Sequence, residues 1–104
     1  MRVVIDSLVV PKLKEFYAQA MKQYITLTEE TVLAKIDRLL DAVQSLGDFP
    51  RKYPFARYKS EWISKGYHDF TYEDIHFAYK VVLLDTGEEV VYVADVCHSL
   101  LYHD

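Results

Sequence analysis

Apolar residues recur along this chain with two different periods, and the change from one to the other divides it. Val3-Val4-Ile5 and Leu8-Val9-Val10 bracket Asp6-Ser7 and predict a short β-rich segment at the start. Pro11 then stands where a first helical turn tolerates its missing N–H. Leu13, Phe16, Tyr17, Ala20, Met21 and Tyr24 follow at spacings of three and four, one face of a helix. The β-branched run Ile25-Thr26-Leu27-Thr28 interrupts that pattern; Thr26 to Glu29 offers a capping box, with Thr28 an alternative cap. Val32, Ile36, Leu39, Leu40, Val43 and Leu46 predict a second helix, stopped by Gly47 in a left-handed turn. So short a break makes the two helices antiparallel, each turning its apolar stripe to the same sheet.

From Asp48 to Lys65 the periodicity fails. Pro50 and Pro54 exclude regular helix there, and aromatic residues alternate with basic ones from Arg51 to Lys59. A connecting loop anchored by Tyr53, Phe55 and Trp62 is expected. Three runs rich in Val, Tyr, Ile and Phe then predict strands over Tyr67 to Tyr72, Ile75 to Leu84 and Glu89 to His98. Glu73-Asp74 and Asp85-Thr86-Gly87 are the turns between them. The reading is α+β in the order β-α-α-β-β-β, a helical hairpin packed on one face of a mainly antiparallel four-stranded sheet. The other face is expected to stay open or to bind a partner. With no repeat or linker, residues 1–104 read as a single domain.

Composition narrows the class. Half the positions are hydrophobic, at 51%, and only 3 are Gly and 3 Pro, so the chain has enough apolar surface to order itself. No apolar run is long enough to span a bilayer, and Asp6 interrupts any signal-peptide core, so a cytoplasmic protein is expected. The single Cys97 cannot form an internal disulfide, which fits a reducing compartment. The net charge of −4 is unevenly spread. Arg51, Lys52, Arg57, Lys59 and Lys65 make one basic stretch, whereas Lys80 is the sole cation after it among many acids. Such a chain is a poor general nucleic-acid binder but can hold nucleic acid locally through that stretch.

Strand alternation puts Ile75, Phe77, Tyr79 and Val81 on a core face and His76, Ala78, Lys80 and Val82 on the open one. The partner register depends on the turn. A four-residue turn pairs Leu84 with Glu89 and sets His76 against Cys97. A three-residue turn sets His76 against Val96 and Lys80 against Tyr92, with His98 on that same face. The sequence is compatible with both. Cys97 reads as a packed strand-end residue more than as a nucleophile. His68, His76, His98 and His103 complete no recognised ligand spacing, so neither a metal nor another cofactor is expected. Tyr53, Tyr58 and Tyr67 lie in or beside the basic stretch, where rings stack bases or, more commonly, pin a loop to its core.

Three stretches carry a resemblance to a known family. Lys12 to Tyr24 is a helix following a strand and ending in an aromatic-rich turn. Leu40 to Pro50 is a helix running into a Leu-x-x-x-Pro loop. Ile75 to Val81, then Val90 to Val96 and His98, are paired strands closing on a histidine. In this order over nearly the whole length, the chain resembles the RelE/ParE superfamily, toxins of bacterial toxin–antitoxin and plasmid-stabilisation modules. The resemblance implies a growth-inhibiting toxin neutralised by a cognate antitoxin, acting either as a ribosome-dependent mRNA endoribonuclease or on DNA gyrase without catalysis. It implies His98 as catalytic acid or base, with His76 and Tyr102 assisting and Lys80, Arg57, Lys59 and Arg51 as phosphate contacts. His76 stands where ribonuclease members commonly carry an Arg, and imidazole cannot clamp phosphate as guanidinium does. That departure favours the alternative, a non-catalytic binding protein on the same fold.

Overall fold

A computed structural model describes residues 1–23 and 27–102. Strand β1 (Arg2–Ile5) ends at Asp6, whose carboxylate accepts the Leu8 N–H at 2.9 Å and whose carbonyl accepts the Val9 N–H at 3.0 Å. These bonds occupy donors that a helix start leaves unpaired, so helix α1 (Val9–Gln23) begins before Pro11. Leu8-Val9-Val10, expected as part of a β-rich segment, is therefore turn and helix. Helix α2 (Glu29–Gln44) is capped by Thr28, whose hydroxyl accepts the Thr31 N–H at 3.2 Å. Tyr24 and the candidate cap Thr26 lie outside the described residues.

Gly47 does not turn left-handed; it closes a 3₁₀ turn (Ser45–Gly47) with no positive φ. Its reason is crowding instead. A Cβ there would lie 2.3 Å from the Met1 carbonyl oxygen, and the Met1 amino group donates to the Gly47 carbonyl at 3.1 Å. The stop was legible and its cause was not.

The loop that follows contains a short helix, α3 (Ser60–Ser64), absent from the expected order. Strands β2 (His68–Tyr72), β3 (Ile75–Leu83) and β4 (Glu89–His98) complete the sheet, and Ser99–Leu101 form a second 3₁₀ turn. The fold is α+β, with a four-stranded sheet in the order β1-β4-β3-β2. β1 runs parallel to β4, and the other neighbours are antiparallel. Leu13 and Tyr17 of α1 with Ile36, Leu39 and Val43 of α2 bury against Phe70, Phe77, Tyr79, Val91 and Val93.

The β3–β4 hairpin contains both registers that the sequence allowed. Near the turn Lys80 faces Tyr92; farther along, Ala78 faces Asp95, His76 faces Cys97 and Ile75 faces His98. The extra residue is Ala94, a β-bulge between the two halves. One consequence is that His98 lies on the helix-covered side and His76 on the other.

That other side is not open. Ala56, Trp62, Tyr67 and Ala78 form a second buried cluster, with Ala94, Cys97 and Tyr102 packed against it. Trp62 of α3 is fully buried, and its Nε1–H donates to Asp95 at 2.9 Å. Lys12 of α1 reaches the same carboxylate at 2.5 Å, and the Val96 N–H at 2.8 Å. Burial opposes ionisation of Asp95, but the bonds from Lys12, Trp62 and Val96 outweigh it and hold its pKa below the ordinary carboxylate value. Asp95 thus ties the two layers together through the strand between them. Of the expected loop anchors, Trp62 is buried, Tyr53 packs on Phe70 at 4.8 Å, and Phe55, though exposed on its outer side, stacks on His68 at 4.3 Å. Among the described residues no helix is long and apolar enough to cross a membrane.

Candidate functional site

The Glu73-Asp74 turn joins β2 to β3 so that Thr71 stands directly opposite His76, and Asp69 lies two residues along on the same face. His76 Nδ1 is 3.0 Å from Asp69 Oδ1, 3.1 Å from Oδ2 and 2.9 Å from Thr71 Oγ1. The Thr71 hydroxyl itself donates to Asp69 at 3.1 Å. A carboxylate only accepts, so the Nδ1 proton points at Asp69 and the neutral ring keeps its lone pair on Nε2. Nε2 lies 3.1 Å from Ser99 Oγ, the donor of that contact. The side chains of His76 and Asp69 are each only 15% exposed, so their interaction is sheltered from water. Tyr102 stacks on His76, with ring centroids 3.8 Å apart and planes at 19°. The Tyr102 hydroxyl is buried beside the Asp69 carboxylate. Burial first, and the nearby Asp69 carboxylate second, push its pKa up. Tyr102 is thus a ring to stack on, poorly suited to giving or taking a proton.

His98 sits in different surroundings. Its ring stacks on Phe16 of α1 at 4.5 Å and 17°. Nδ1 accepts the Leu100 N–H at 3.0 Å, capping the 3₁₀ turn and leaving the proton of the neutral ring on Nε2. Burial lowers the pKa of His98, which favours the neutral form. It lines a cavity of about 240 Å³ with Lys12, Phe16, Lys59, Cys97 and Leu101. Cys97 is half-buried in the same wall, and burial pushes its thiol pKa up, so it is no ready thiolate.

The expected phosphate contacts are not gathered in one place. Arg51 and Lys80 line a separate open groove with Phe55 and His68. There Arg51 is paired with Glu89 at 3.2 Å, and Lys80 Nζ lies 5.3 Å from the Tyr67 ring centroid. Lys59 belongs to the His98 cavity. Arg57 is exposed beside Tyr58, whose ring meets Tyr102 edge-on at 5.8 Å. The structure therefore joins His76 with Tyr102, separates both from the face of His98, and splits the four cations. His103 lies outside the described residues.

Asp69, Thr71 and Ser99 escaped the sequence reading. A signal existed for the first two: a two-residue turn at Glu73-Asp74 fixes Thr71 opposite His76 and so aligns Asp69. Nothing comparable announced Ser99, whose position depends on the bulge and the closing 3₁₀ turn. No protein-family model matches the chain, and no curated protein and no solved structure matches it.

Proposed function

We propose that this chain is the toxin of a bacterial toxin–antitoxin pair of RelE/ParE type, acting in the cytoplasm as a ribosome-dependent mRNA endoribonuclease. The observation that carries the chemistry is His76: Nδ1 faces a carboxylate while Nε2 meets a hydroxyl at 3.1 Å. That is the arrangement of a general base poised on an O–H. In this reading a ribose 2′-hydroxyl takes the position of Ser99 Oγ and gives its proton to Nε2. The 2′-oxygen then attacks the adjacent phosphorus, and the bond to the 5′-oxygen breaks. The proton held on His76 passes to that leaving oxygen. Asp69 supports the imidazolium formed between the two transfers, Tyr102 holds the His76 ring by stacking on it, and exposed Arg57 is the nearby cation for phosphate. The expected His98 role moves to His76, since His98 is committed to a cap and an apolar stack.

The test is incubation of the purified chain with ribosomes carrying mRNA. Cleavage leaving 2′,3′-cyclic phosphate and 5′-hydroxyl ends, lost in His76→Ala, is the expected outcome. Intact mRNA with the folded wild-type chain overturns the nuclease reading. A second reading, a non-catalytic inhibitor directed at gyrase or a degenerate toxin, is favoured by one observation. Asp69 puts negative charge at the site, while Arg51 and Lys80 are engaged elsewhere. Growth arrest without RNA cleavage selects it. In both readings the protein partner is a cognate antitoxin.

A further inference from the structure

We infer that the cavity beneath His98 is a binding site for a small monoanion with an apolar body, an aliphatic or aryl carboxylate. The cavity exists because β1 stops early. Its pairing ends at Ile5 opposite Val93, and Asp6 N–H makes the last bond to the Val93 carbonyl. Beyond that point β4 has no strand on this side among the described residues, and α1 leans across the vacant edge. Leu13, Phe16, Ile75, Val96 and Leu101 give an apolar wall around about 240 Å³. That is room for a small molecule.

The polar groups in the wall select charge and number. Lys12 is already neutralised by Asp95, whose oxygens also accept from Trp62 and the Val96 N–H. Lys59 makes no ion pair among the described residues. With neutral His98, the described residues of the lining keep one uncompensated positive charge. His98 adds a donor, since its Nδ1 is occupied as an acceptor and its proton is on Nε2. One cation and one N–H donor suit a carboxylate, and the wall of aliphatic and phenyl groups suits a hydrocarbon body. An inorganic oxyanion gains nothing from that wall, and a neutral alcohol gains nothing from Lys59.

The experiment is an NMR titration of the ¹⁵N-labelled chain with hexanoate, hexanol and inorganic phosphate. Saturable shifts of Phe16, Val96 and Leu101 amides with hexanoate are expected, with hexanol and phosphate each at least about tenfold weaker. Lys59→Gln should weaken hexanoate about tenfold and leave hexanol unchanged. Leu101→Trp, at an exposed position on the rim, should abolish the shifts by filling the cavity while the rest of the spectrum is retained. Cys97, the sole cysteine, supplies an independent readout, because hexanoate should slow its alkylation by N-ethylmaleimide. Equal binding of hexanol or phosphate overturns the inference, as does the absence of shifts with hexanoate or their persistence in Leu101→Trp.

Discussion

Two histidines on neighbouring strands near the same end of the sheet experience different physics. His76 and His98 sit one register step apart, Ile75 being the residue that faces His98. His76 belongs to the side covered by α3 and the closing turn, where a carboxylate and two hydroxyls satisfy both its nitrogens. His98 belongs to the side covered by α1 and α2, where it gains a phenyl stack and a cap. A partly buried polar chain holds a ring in one tautomer and one direction, the preparation that proton transfer needs. An apolar stack instead lowers the pKa and keeps the ring neutral, with no carboxylate bonded to it among the described residues to support a charged form. The bulge at Ala94 decides which histidine receives which treatment.

The comparison breaks first on activity. His76→Ala should lower RNA cleavage by about 10²–10⁴-fold, whereas His98→Ala should leave it within a few-fold, measured on ribosome-bound mRNA. His98→Ala should cost about 1 kcal/mol of stability by urea titration, through the lost cap and stack. It should also flatten the pH dependence near neutrality. The folded-state pKa of His98 is lowered by burial, so the unfolded chain binds the proton more readily. Stability therefore declines as pH falls below about 6.5 and stops declining once the folded ring is also protonated.

The second comparison is between the two covers of the sheet. Trp62→Ala should cost about 3–5 kcal/mol, as much as a core aromatic on the helix side. A loss under about 1 kcal/mol would mean that the α3 layer is a loose flap. Asp95→Asn should cost about 1.5–3 kcal/mol at neutral pH by removing the charge from its hydrogen bonds. Because the folded pKa of Asp95 is depressed, its contribution is present above about pH 3.9 and fades as pH falls through the folded value. The variant should lose that acid-side dependence. Smallest of all, Glu61→Gln removes an exposed pair with Lys65, 2.9 Å in the structure, and should leave the urea midpoint unchanged.

Much of this architecture is legible in the pattern of side chains. The spacing from Leu13 to Met21 and from Val32 to Leu46 marks both helices, and the span from Glu89 to His98 coincides with β4. Two things were hidden. Alternation along β3 does not say that the polar-looking face is covered, because the cover comes from Trp62 and Tyr102, distant in sequence and set by tertiary packing. Alternation along β4 cannot reveal a bulge, since Asp95-Val96-Cys97-His98 reads equally well in either register. The site inherited that ambiguity. His76 and Tyr102 were named and do meet, but Asp69 and Ser99, which give His76 its direction, became visible only with the register settled.

In the proposed nuclease, activity runs through His76 and not through His98. The most direct test is bacterial growth after induced expression of wild type, His76→Ala and His98→Ala, with all three soluble and equally abundant. Arrest is expected with the wild type and with His98→Ala, and unimpaired growth with His76→Ala. Arrest by His76→Ala together with relief by His98→Ala would contradict that assignment, as would unimpaired growth in all three cultures.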